Sequence, residues 1–152
     1  MTTHTALPGD GIITLVGWPD ALAETVGHHV RSEYVERYWL GILGPTATWL
    51  LRRLSDEVLV NPAGVRVDLQ TLAQSLGLAF HAGRHNPFSR GLDRCIMFGL
   101  VRHVGNHPHP TFAVRTRVPS LARRQVERLP HALQVAHQDE LSFRAQPQET
   151  AH

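Results

Sequence analysis

GVRVDLQTLAQSLGL (64–78), NPFSRGLDRCIMFG (86–99) and LVRHVGNHPHPTFAVRTRVP (100–119) make up the stretch that decides the fold. Val65-Arg66-Val67 alternates as a short strand does. Asp68 then caps a helix, because its carboxylate can accept the free amides of the first turn. Leu69, Leu72, Ala73 and Leu76 recur at helical spacing, and Gly77 supplies the left-handed stop before Leu78 returns to the core. Asn86 as cap and Pro87 at the first helical position open a second helix that runs to about Phe98. Its spacing sends Phe88, Leu92, Cys95 and Ile96 inward and leaves Ser89, Arg90, Asp93, Arg94 and Met97 toward solvent. Gly99 ends it. Leu100–Val104 and Thr111–Val118 read as two strands about the breaker-rich turn 105–110. Phe112, Val114, Thr116 and Val118 share one face of the return strand, and Arg115 and Arg117 share the other.

Outward from this unit, Gly44-Pro45 starts an upstream helix, and Trp49, Leu50 and Leu54 give it a buried side. Residues 1–17 read as a flexible N-terminal tail that ends in a short strand at Ile12–Val16. Residues 18–43 form an N-terminal helical extension, with Tyr34, Val35, Tyr38, Trp39, Ile42 and Leu43 at helical spacing. Such an aromatic surface either packs on its own domain or pairs two subunits into a homodimer, since large apolar patches mark interfaces. Residues 120–142 read as C-terminal helices, and residues 143–152 as a disordered tail.

At 152 residues the chain supports one core and does not call for two domains. No apolar run is long enough to span a bilayer, so no membrane segment is expected. The N-terminus lacks a basic segment followed by an apolar one, and a cytoplasmic location is expected by elimination. Cys95 has no partner for a disulfide, and its apolar helical setting favours a buried thiol.

Charge is segregated. Between Arg84 and Arg128 stand nine Arg (84, 90, 94, 102, 115, 117, 123, 124, 128) against Asp93 and Glu127, a balance of +7 in a chain of net charge +2. The remainder is acidic. All fifteen basic residues are Arg, which suits phosphate and guanine recognition but equally suits the codon bias of a GC-rich genome. The position of the arginines therefore carries the argument, and their type does not.

The order helix, strand (65–67), helix (69–76), helix (87–98), strand, turn, strand resembles the winged helix-turn-helix regulators, with the helix after the wing similar to those of the MarR type. The expected fold class is mainly α with a small β-wing, a winged helix-turn-helix over 44–119 with N- and C-terminal helical extensions. One departure is the connection AFHAGRH (79–85), longer than this family's usual turn.

The resemblance implies double-stranded DNA as partner and a role in transcription regulation. Helix 87–98 would enter the major groove and the wing, 100–118, would lie on the backbone. Ser89, Arg90 and Arg94 would then meet base edges or phosphates, while Arg84, Arg102, Arg115 and Arg117 would hold phosphates and set register. The bland alternative for these arginines is a solvated face. The alternative function is a winged-helix module for protein association without DNA affinity.

His81 with His85, and His103, His107 and His109 around the wing, raise the question of zinc. A structural zinc site usually recruits Cys, and the single Cys lies elsewhere, so no metal or other cofactor is expected. The chain carries no P-loop, GxSxG, HExxH or glycine-rich dinucleotide turn, and no enzyme is expected.

Overall fold

The strand assigned to the tail is the centre of the sheet. The computed structural model describes residues 7–8, 10–81 and 86–145, Ala145 by its backbone alone. In it, β1 (Ile12–Gly17) lies between β3 (Val65–Asp68) and β5 (Thr111–Val114), and β4 (Val101–Gly105) pairs with β5 at the far edge, giving the order β3-β1-β5-β4. β1 runs antiparallel to β3 and parallel to β5. The expectation of a winged helix-turn-helix with a small β-wing is therefore corrected to a mixed α/β fold built on a four-stranded mixed sheet. The physical reason is β1: it occupies the position beside β5 that Val65–Val67 would take in the smaller fold, so the wing strands become half of a larger sheet.

Among the described residues seven helices accompany the sheet: α1 (Ala21–Val26), α2 (Leu40–Leu43), α3 (Pro45–Val60), α4 (Leu69–Ser75), α5 (Pro87–Met97), α6 (Arg123–Val126) and α7 (His131–Ala145). A widened helical turn, Val35–Trp39, leads into α2. The expected caps form. Asp68 accepts from the amides of Gln70 and Thr71, and Asn86 Oδ1 accepts from the Ser89 amide at 2.9 Å. Gly77 and Gly99 take φ of +70° and +71°, a left-handed backbone that favours glycine where the chain leaves a helix. α7 reaches into the stretch expected to be disordered, and residues 146–152 lie outside the described residues.

One buried cluster joins Ile13 and Leu15 of β1, Phe112 and Val114 of β5, Leu50, Leu51 and Leu54 of α3, and Phe88, Leu92 and Cys95 of α5. Tyr34, Val35, Tyr38, Trp39, Ile42 and Leu43 belong to the same cluster. The aromatic surface of 18–43 is thus core within the single chain, and it is no longer free to pair subunits. Trp49 behaves otherwise: expected inside, it is 48% exposed.

The return strand also differs from its reading. It stops at Val114; Arg117–Val118 form a separate strand, β6, paired with β2 (His28–His29). Between them Thr116 O accepts from the Val30 amide at 3.0 Å, which turns the chain toward the second, two-stranded sheet. Gly27 allows this approach, since a Cβ there would stand 2.3 Å from Ala23 O and 2.9 Å from Val118 O.

Candidate nucleic-acid interface

The seven expected DNA-contacting residues fall into three groups. Arg90 and Arg102 are exposed, on α5 and β4. Arg84 lies outside the described residues. The other four have their polar atoms turned inward.

Ser89 is buried at the start of α5, where its Oγ accepts from the Asn86 amide at 2.9 Å and completes a reciprocal cap. Expected toward solvent, it instead turns inward to cap the helix through the buried Asn86 amide. Arg94 reaches back to α2. Its Nε donates to Leu43 O and its Nη2 to Ile42 O, both at 2.7 Å, so a guanidinium fork closes the last carbonyls of that short helix.

Arg115 sits between three groups. Nη1 meets Asp20 Oδ2 at 2.5 Å, Nε donates to Gly99 O at 2.8 Å, and the guanidinium lies 4.0 Å from the centre of the Trp18 ring. The Arg115 hydrogen bond is the main cause that holds the Asp20 carboxyl below its ordinary range, with the Ala23 amide behind it. Arg117 donates through Nη2 to Gly27 O at 2.7 Å and through Nε to Ala23 O at 3.3 Å, tying the end of α1 to β6. Arg115 lies against Trp18, and Arg117, on β6, belongs to the second sheet, so the alternation of β5 no longer sets its side. The turn after Val114 then carries them against α1 and its cap rather than into solvent.

What remains at the surface is a different set. From Asn86 to Arg128 the exposed charged residues are Arg90, Arg102, Arg123, Arg124, Glu127 and Arg128. Glu127 lies 3.5 Å from Arg123, an exposed i, i+4 pair of little strength. A chain of contacts links the helices that bear these groups. The Arg94 guanidinium lies 5.7 Å from the Phe98 ring, Phe98 meets Trp39 edge-on at 6.3 Å, and Trp39 Nε1 donates to Pro119 O just before α6. Arg123 and Arg124 lie on α6, which buries no residue, and Arg128 follows it; all three were counted in the basic run but not singled out.

The histidines divide in the same manner. The His103 ring lies tilted against Phe112 at 5.0 Å, and His109 Nδ1 stands 3.8 Å from Asp10. Among the described residues no three His, Cys, Asp or Glu side chains converge to hold a metal. Cys95 is buried as read, and burial pushes its thiol up to about 12. No helix among the described residues is long and apolar enough to cross a membrane.

No family model matches the chain, and no curated protein matches it. A solved structure is similar to it, that of residues 1–300 of the primosome protein DnaB from Geobacillus stearothermophilus. The TM-score is 0.53 at 16% identity, over 93% of this chain and 53% of the other. This chain therefore spans about half the length of that structure. At this identity the likeness is one of fold, and it replaces the expected resemblance to MarR-type winged-helix regulators.

Proposed function

We propose that the protein binds DNA through the arginines its fold leaves at the surface, and that it serves a DNA-associated assembly of the kind a primosome protein belongs to, rather than gene regulation. The observation that supports this reading is the exposed set Arg90, Arg102, Arg123, Arg124 and Arg128, opposed among exposed acids of the same segment by Glu127 alone. The fold likeness to a primosome protein points the same way. With Arg94 and Ser89 turned inward, α5 keeps one of the three side chains it was expected to offer to base edges. Binding on this reading is mostly to phosphates, with little sequence preference.

The test is anisotropy of a short labelled duplex across a salt series. Arg-to-phosphate contacts release counterions, and log K falls with log salt by about 0.9 per contact. Replacing Arg123, Arg124 and Arg128 together by Ala should lower that slope by roughly 2 to 3 and weaken all duplex sequences alike. No measurable binding at low salt would overturn the proposal in favour of a module for protein association.

A further inference from the structure

The two faces of the four-stranded sheet differ. Side chains alternate along a strand, so the register assigns them. Ile13, Leu15, Val67, Phe112, Val114 and Val101 form the buried face that belongs to the core. Their neighbours make the other face: Thr14 and Val16 on β1, Arg66 opposite Thr14, Thr111 and Ala113 beside them, and Arg102 opposite Ala113. Around the small buried Ala113, Thr14, Val16 and Thr111 are half-buried, and Arg66 and Arg102 are exposed. Trp18 extends the β1 line on this side, its amide donating to Val114 O at 3.0 Å, and the Arg102 guanidinium lies 4.5 Å from its ring centre.

We propose that this open face holds a segment of unpaired nucleic acid, with a base stacked on Trp18 and neighbouring phosphates held by Arg102 and Arg66. The inference rests on the DNA-binding reading above and narrows it to a strand type and a surface. The chemistry selects the occupant. A paired base has both π-faces covered within its own helix, so only an unpaired base can offer one to an indole. Arg66 and Arg102 stand on the two edge strands, three strand spacings or about 14 Å apart across the sheet; Arg102 lies beside Trp18, and Arg66, opposite Thr14, lies four residues back along β1 from it. A backbone crossing the strands would pass both.

Of the acids near the two arginines, Asp56 is tied to Arg31, and Glu57 shares a pocket with Arg66 and Arg53. Asp68 accepts from two backbone amides and Asp20 is held by Arg115. The two arginines against Trp18 also differ in their ties. Arg115 is anchored by Asp20 and Gly99 O, and Arg102 is exposed, so Arg102 is the group that moves from ring to phosphate when a base arrives.

The experiment uses the whole chain with oligothymidylate and, in parallel, a duplex. Trp49→Phe removes the half-exposed indole and leaves Trp18 beside the buried Trp39. Oligothymidylate should then quench fluorescence. Trp18→Leu should weaken oligothymidylate by between about fivefold and a hundredfold, and Trp18→Phe by much less, with duplex affinity unchanged. Arg66 lies outside the arginine-rich segment, so Arg66→Ala should lower the single-strand salt slope by about 0.7 without altering duplex binding; this variant keeps the test decisive should Trp18→Leu fail to fold. Equal oligothymidylate affinity for the Arg66 variant and the parent, with no quenching, would overturn the sheet site while leaving duplex binding in place. Failure of the parent to bind either nucleic acid would overturn both readings.

Discussion

Arg90 and Arg94 lie one turn apart on α5, carry the same charge and were indistinguishable by spacing, yet one is exposed and the other donates two hydrogen bonds at 2.7 Å to the carbonyls of Ile42 and Leu43. The same division separates Arg102 on the open sheet face from Arg117, whose fork binds the carbonyls of Ala23 and Gly27. A guanidinium serves either purpose because its planar array of donors fits two backbone carbonyls as well as it fits a phosphate. Where helices end close to one another, the carbonyls they leave without partners compete for nearby arginines. α1 and α2 are short and end within reach of β6 and α5. Much of the basic run is therefore structural, and the part left over is what can meet a polyanion.

The comparison breaks most directly at Arg94. Arg94→Ala leaves the carbonyls of Ile42 and Leu43 without their donor, and hydrogen bonds to a charged group are worth about 1.5 to 3 kcal/mol each. Stability should fall by roughly 3 kcal/mol in urea unfolding. Arg94→Lys should recover less than half, because an ammonium does not reproduce the fork. A loss below about 0.5 kcal/mol, the range of ordinary surface changes, would show that Arg94 belongs with Arg90.

Inward-turned polar groups also make stability depend on pH, and His28 sharpens the contrast. It is 2% exposed, stacked on Tyr34 at 3.5 Å, and its Nε2 lies 2.8 Å from Ser120 Oγ. Arg117, Arg144, His137 and Glu140 are the charged or titratable groups that act on it. Burial first, and then the Arg144 charge, lower its pKa from 6.5 to about 4. Because the folded pKa is the lower one, the unfolded chain takes up the proton first. The stability His28 lends is complete above about pH 6.5 and is lost as pH falls toward about 4. At about 1.4 kcal/mol per unit, the loss is on the order of 3 kcal/mol. His137, lowered in the same direction by burial, adds to it. Melting temperature should drop between pH 6.5 and 5, before most carboxylates titrate, and His28→Phe should flatten that drop while keeping the ring on Tyr34. An unchanged profile in the variant would remove His28 as the source.

Local signals were legible where the cause was local. Asp68, Asn86 with Pro87, Gly77 and Gly99 set helix ends through their own side chains or backbone angles, and each appears where its chemistry placed it. The role of Ile12–Gly17 was not legible, because a short apolar alternation shows that a strand exists and says nothing of its neighbours. Pairing with Thr111–Val114 across nearly a hundred residues is a tertiary choice. Arg115 and Arg117 were placed by a single alternation over 111–118, but β5 stops at Val114, and whether the two met water depended on Trp18, Asp20 and the end of α1. The site was legible as a region of charge. The exposed residues within it, and the aromatic at Trp18, became visible only with the sheet assembled.

Arg90→Ala gives the smallest effect and the finest separation. Arg90 is exposed beside the groove of about 290 Å³ that α5 forms with residues 43–47. Its side chain ties no cap or turn among the described residues, so stability should move by less than about 0.5 kcal/mol on its removal. If it touches one phosphate, the duplex salt slope should fall by about 0.9, with every sequence weakened equally. If it reads a guanine edge instead, the loss should concentrate on one base position, at about 1 to 3 kcal/mol of discrimination. Competition between unrelated duplexes distinguishes these outcomes. A sequence-dependent loss would return α5 to a base-reading role despite the inward turn of Arg94, whereas no loss at all would confine the DNA-binding surface to Arg102 and the arginines of residues 123–128.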